Sequence, residues 1–154
     1  MGKENYGDLI IFEENKTLSA IGSTTVTGPW ISPGKVGALR FANTMVFVLD
    51  VTAIGTDVGD TFDFKIQEGL PGSSVIPTDR VHFTQLLGNG GAKQFIARIQ
   101  TFVAVAATPA PNVALAASLV VDGPICDLLR YVIAVVDADA DTTITFSLKG
   151  YLKG

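Results

Sequence analysis

The sequence predicts an all-β domain, an antiparallel β-sandwich or jelly roll of about eight to ten short strands. Three observations point there. Several stretches alternate apolar and polar residues with the period of a half-buried strand. Turn signals built from glycine, proline and asparagine recur between those stretches. The composition is 47% hydrophobic and only 17% charged, with 16 glycines and 7 prolines to serve the turns, a balance that favours strands joined by tight connections. At 154 residues the chain fits a single domain spanning 1–154. A domain of that size buries about 70% of its unfolded surface and needs no disulfide or metal staple.

The first apolar run, Leu9 to Phe12, follows a polar, glycine-containing lead in "MGKENYGDLIIFEENK". No hairpin partner stands within the next few positions. Residues 1–14 form a candidate N-terminal arm, in which Leu9, Ile10, Ile11 and Phe12 add to a sheet edge on another chain. The alternative is an ordinary first strand. Further strands are expected at Thr17–Thr27 and Val36–Phe41. The runs "TMVFVLDV" (Thr44 to Val51) and "YVIAVV" (Tyr131 to Val136) are apolar on both faces, as a strand needs when it lies mid-sandwich or against a neighbouring subunit. In "DTFDFKIQEG" Phe62, Phe64 and Ile66 take one face while Asp63, Lys65 and Gln67 take the other. Val75–Leu87 follows, with Val81 and Phe83 inward and Arg80 and His82 outward. "AKQFIARIQTFVAV" alternates through Phe95, Ala97 and Ile99. Leu115–Val121 is another expected strand, although Ala-rich Val113–Leu119 and the stretch "ICDLLRYV" have some helical character. The last strand, in "TTITFSLKG", places Ile144, Phe146 and Leu148 inward.

Charge and motif searches exclude several functions. The net charge is −4 and the 11 Lys and Arg are scattered, so no basic stripe displaces counterions from nucleic-acid phosphates. The single cysteine, Cys126, reads as a small buried hydrophobe. The apolar run 9–12 is too short for a signal peptide, and no stretch reaches the length of a membrane span. "LLGNGGAK" lacks the GK[ST]-helix context of a phosphate loop, and its Asn-Gly signals a hairpin instead. His82, the only histidine, has no nucleophile at triad spacing and reads as a surface residue. Asp57, Asp60 and Asp63 read as solvated turn and strand faces. No catalytic residue, cofactor or metal ligand is expected.

Asp137, Asp139 and Asp141 in "DADADT" resemble the start of a calcium loop. The EF-hand pattern then requires glycine and, later, a bidentate glutamate, where this chain has Thr142 and Leu148. Both flanks are strand-like, so the aspartates read as a hairpin turn, with a weak calcium loop as the alternative. Trp30, between Pro29 and Pro33 in "TGPWISPG", reads as a core plug or subunit contact before a sugar platform.

The segments "DVGDTFDFKIQEGLPGSS", "DRVHFTQLLGNGGAKQFIARI" and "LRYVIAVVDADADTTITFSLKGYLKG" together resemble small virion structural proteins of tailed bacteriophages. A strand of "LDVxIQ" type, a Gly/Ser turn and "FTQ" carry the resemblance, with a closing "LR", valine-rich strand and "FTFS"-type strand. It spans roughly residues 45 to 150 and is closest to capsid decoration, or cement, proteins. The resemblance implies a non-enzymatic, trimeric protein on the phage head surface that bridges capsomers of the major capsid protein. It would be synthesised in the host cytoplasm and contact neither nucleic acid nor membrane. Leu9, Ile10, Ile11, Phe12 and Trp30 are the expected interface residues. Head-completion or tail proteins, and a carbohydrate-binding β-sandwich, are the alternatives.

Overall fold

The computed structural model describes residues 9–32, 43–69, 77–101, 114–125, 128–137 and 139–153. Within them the chain forms β1 (Leu9–Ser19), β2 (Thr24–Thr27), β3 (Thr44–Ile54), β4 (Thr61–Gly69), β5 (Thr78–His82), β6 (Leu86–Leu87), β7 (Lys93–Gln100), β8 (Leu119–Val120), β9 (Leu128–Val136) and β10 (Thr143–Lys153). No helix occurs among the described residues, so the helical character of 114–119 is overridden. The expected strand at Val36–Phe41, residues 70–74 of "GLPGSS", Cys126 and the first eight residues lie outside the described residues.

Two antiparallel sheets face each other. One has the order β1-β10-β3-β7 and the other β2-β9-β4-β5-β8, with β6 beside β4. The pairs β1–β10, β2–β9, β3–β7 and β4–β5 make one long double ribbon, and β10–β3 and β9–β4 close it on itself. That wrapping is a jelly roll, a β-sandwich whose consecutive long strands alternate between sheets.

Period-two alternation fills the core. Phe62, Phe64 and Ile66 of β4 meet Ile144, Phe146 and Leu148 of β10, and all six are fully buried. Phe64 and Phe146 pack edge to face with ring centroids 5.0 Å apart, an arrangement the ring quadrupoles favour. The inward residues of the two apolar runs join them: Met45, Phe47, Leu49 and Val51 from β3, and Tyr131, Ile133 and Val135 from β9. Val81, Phe83, Ala97 and Ile99 also face inward, as the alternation requires.

Three sequence expectations change. Leu9–Phe12 continues into one eleven-residue strand paired with β10, with irregularities between Ile11 and Glu13 and between Glu13 and Lys16. Ile10 and Phe12 enter this chain's own core, while Leu9 and Ile11 face outward. "GNGG" is not a hairpin turn, because β6 pairs in one sheet and β7 in the other. The "DADADT" stretch is a turn but not a hairpin, for the same reason: β9 and β10 belong to opposite sheets. Both loops cross the end of the sandwich, which local strand patterning cannot distinguish from a hairpin.

Candidate functional site

At one end of the sandwich four sheet-crossing loops converge among the described residues, the β6–β7 loop among them through the Gly88 N–H donating to the Asp60 carbonyl at 2.8 Å. The register places Ile54 beside Ile144 and Val136 beside Thr61, so the β3–β4 and β9–β10 loops abut. The β1–β2 loop joins them, because Ser23 Oγ both donates to the Asp137 carbonyl at 2.9 Å and accepts from its N–H at 3.0 Å. Three inward rows end here on a polar residue. Asp60 lies two positions before Phe62, Asp137 two after Val135, and Thr142 two before Ile144; all three are buried.

Asp137 organises its own loop. Its Oδ1 accepts N–H bonds from Asp139 and Ala140, each at 2.8 Å, and its Oδ2 accepts one from Thr142 at 3.1 Å. Ala140 has φ 64°, the left-handed conformation that lets the chain turn back. Burial tends to raise Asp137's carboxyl, but the three backbone donors outweigh it and hold the group below its ordinary value. Asp139 moves the other way. It hydrogen-bonds Asp141 and stands in the fields of Asp141, Asp137 and Asp60, and burial adds to these, so its carboxyl is raised. Two overlapping carboxylate groups result: Asp57, Asp60 and Asp141, and Asp60, Asp137 and Asp139. Within each, the oxygens lie within 4.8 Å of one another. Sequence spacing missed Asp57 and Asp60 because the fold, not the chain, brings them to the "DADADT" turn. The available signal was parity: Asp60 continues the inward row of β4.

The outer face of the six-stranded sheet is a closed polar network. Asp79 accepts from Lys65 Nζ and Gln67 Nε2, each at 2.8 Å, and from the Leu115 N–H at 3.1 Å. Arg130 donates twice to Gln67 Oε1. His82 is not a free surface side chain, because residues 115–121 lie across it. Its Nδ1 meets the Leu115 carbonyl at 2.6 Å and its Nε2 meets Asp63 Oδ1 at 3.2 Å. Both ring nitrogens therefore face an oxygen of the protein itself. Arg80 is likewise covered, donating to Glu68 at 3.4 Å and to the Gly123 carbonyl at 2.8 Å.

Trp30 is 38% exposed and does not plug the core. The Arg130 guanidinium sits 4.4 Å from its ring centroid, a cation–π contact. Gly69 lets the indole lie close, since a Cβ there would meet the ring at 2.8 Å.

The outer face of the four-stranded sheet is different in kind. The register aligns Leu9, Tyr151, Val46 and Arg98 in one cross-strand row, and Ile11, Lys149, Val48 and Ile96 in the next. Leu9, Ile11, Ile96 and Tyr151 are exposed, and Val46 and Val48 are half-buried. Arg98 stands at the β7 edge of this surface and Lys149 lies within it, held by Glu14 Oε1 at 2.7 Å. Of the expected interface residues, Leu9 and Ile11 lie on this face and Trp30 lies on the other sheet's side with Arg130.

No known family model matches the chain, and no curated protein matches it.

Proposed function

We propose that this chain is a non-enzymatic structural protein of a tailed-phage virion, a decoration or cement protein that assembles as a homotrimer on the major capsid protein. The observation that carries this reading is the apolar outer face of the four-stranded sheet. Six of its eight central positions are Leu9, Ile11, Val46, Val48, Ile96 and Tyr151; of the two cations, Arg98 stands on the edge strand β7, while Lys149, between Ile11 and Val48, is paired with Glu14. An interface core depleted of charge with a polar rim has this character. On the opposite sheet the exposed apolar residues, among them Leu87, Leu119, Val120 and Val136, stand on its short flanking strands and strand ends, and the polar side chains of β4, β5 and β9 between them bond one another. Jelly rolls serve in viral capsids, lectins and cupins alike, so the fold by itself does not choose among these. Two further observations favour assembly over catalysis or sugar binding. His82 has both nitrogens occupied by acceptors, and Arg130 already covers part of the Trp30 ring.

The test is the copy number of the chain in purified source particles, by quantitative mass spectrometry. Many copies per particle support a decoration protein on the head. A few copies would move the chain to the neck or tail, and absence would defeat the virion reading.

A further inference from the structure

The end of the sandwich carries an observation that the assembly reading does not use. Thr142 is 0% exposed, and its Oγ1 has no hydrogen-bond partner among the described residues. Its own N–H bonds Asp137 Oδ2, and it stands just before β10, two positions ahead of inward Ile144, as buried Asp60 and Asp137 stand at the ends of the β4 and β9 rows. A buried hydroxyl left unbonded costs stability, and here it adjoins carboxylates already crowded by one another. An oxygen-seeking cation would relieve both conditions at once.

We propose that Asp60, Asp137 and Asp139, with Thr142 Oγ1 and the overlapping Asp57 and Asp141, bind a hard divalent cation of calcium's class. The donors are all oxygen, and the group contains no His or Cys, which argues against zinc and softer metals. Calcium accepts six to eight such ligands in flexible geometry, whereas magnesium demands a near-octahedral shell and keeps several waters. Asp137 would contribute a carboxylate already fixed in place by three backbone N–H groups. A bound ion would tie the β3–β4 loop to the β9–β10 loop, linking the two sheets at this end. This inference stands independently of the virion reading.

The experiment uses the full chain, stripped with a chelator and titrated with calcium chloride, read by calorimetry and by melting temperature. Saturable binding with an upward melting shift is expected. Asp137→Asn risks the loop itself, so Asp139→Asn and Thr142→Val are the informative variants. Each should keep or raise the metal-free melting temperature, since one relieves repulsion and the other removes an unbonded hydroxyl. Each should also raise the half-saturating calcium concentration by about tenfold or more. Glu14→Gln, on the outer face of the other sheet, should bind as the parent does. The proposal is overturned if calcium gives no saturable signal through the millimolar range. It is equally overturned if sodium chloride at matched ionic strength reproduces the shift, or if both variants bind calcium undiminished.

Discussion

Tyr131 of β9 donates its hydroxyl to Glu13 Oε1 of β1 at 2.7 Å, a side-chain hydrogen bond from one sheet to the other. The ring is buried in the core against Phe146, centroid to centroid 6.0 Å. Burial raises the phenol above its ordinary value, and the Glu13 hydrogen bond and charge raise it further. Tyr131→Phe should keep the packing and lose the bond, at a cost of about 1 kcal/mol. In a domain of this size that corresponds to a fall of about 2–4 °C in melting temperature, measurable by scanning calorimetry. Unchanged melting would mean the bond adds nothing net. Gly28→Ala tests the same ring from the other side. A Cβ there would overlap the Tyr131 ring, so a loss of about 1–3 kcal/mol is expected from overpacking.

Truncation separates fold from surface at the first strand. Phe12 packs on Phe47 with centroids 6.1 Å apart, so Phe12→Ala should cost about 3–5 kcal/mol. Deleting residues 1–14 should lower the melting temperature sharply. Ile11→Ser, on the outward face, should stay within about 0.5 kcal/mol of the parent. A deletion that melts normally would mean that β1 contributes little to the core.

Acid stability should follow Asp79. Burial alone would raise its carboxyl, but the Lys65 and Gln67 hydrogen bonds, the Leu115 N–H and the Lys65 charge together lower it below 3.8. A carboxyl depressed in the folded state contributes stability that is complete above its unfolded value and is lost as pH falls through its folded value. Melting temperature should therefore be insensitive to this group above about pH 5 and should decline below about pH 4. Asp79→Asn should make that decline shallower. A variant with the same acid profile as the parent would assign the loss to other groups.

The apolar face predicts a split between stability and attachment. Ile96 is 51% exposed, so Ile96→Asp should change stability by about 0.5 kcal/mol or less. Under the decoration reading, occupancy on undecorated particles should fall steeply. Normal occupancy by both Ile96→Asp and Ile11→Asp would remove this face from the interface.

Much of the fold was legible because period two is a strong local signal. Phe62, Phe64 and Ile66, and Ile144, Phe146 and Leu148, stand inward as their alternation requires. The runs 44–51 and 131–136 look equivalent in sequence but meet different surroundings. Val46 and Val48 open onto an apolar outer face, whereas Val132 aligns with Lys65 and then His82 on a polar one. Cross-strand partners decide that difference, and local sequence does not contain them. The same limit hid the occupied state of His82, which depends on Leu115, 33 positions away. The carboxylate cluster fell between these cases. Its turn was readable from "DADADT", but its second half arrives from Asp57 and Asp60 through the wrapping of the ribbon.

The double ribbon also dictates an order of events during synthesis. β4 and β5 pair across the shortest stretch of chain, whereas β1 can pair only with β10, ending at Lys153. Zipping can begin at the closed end early, but β1 must wait for β10. Until then Ile10 and Phe12 are exposed on a strand with no β10 to receive them, a state prone to association with other chains. Long-range pairing of this kind places refolding in the millisecond-to-second range typical of all-β domains. Nascent chains arrested before β10 should accordingly be protease-sensitive along β1, and chains extended past Lys153 and clear of the ribosome should not.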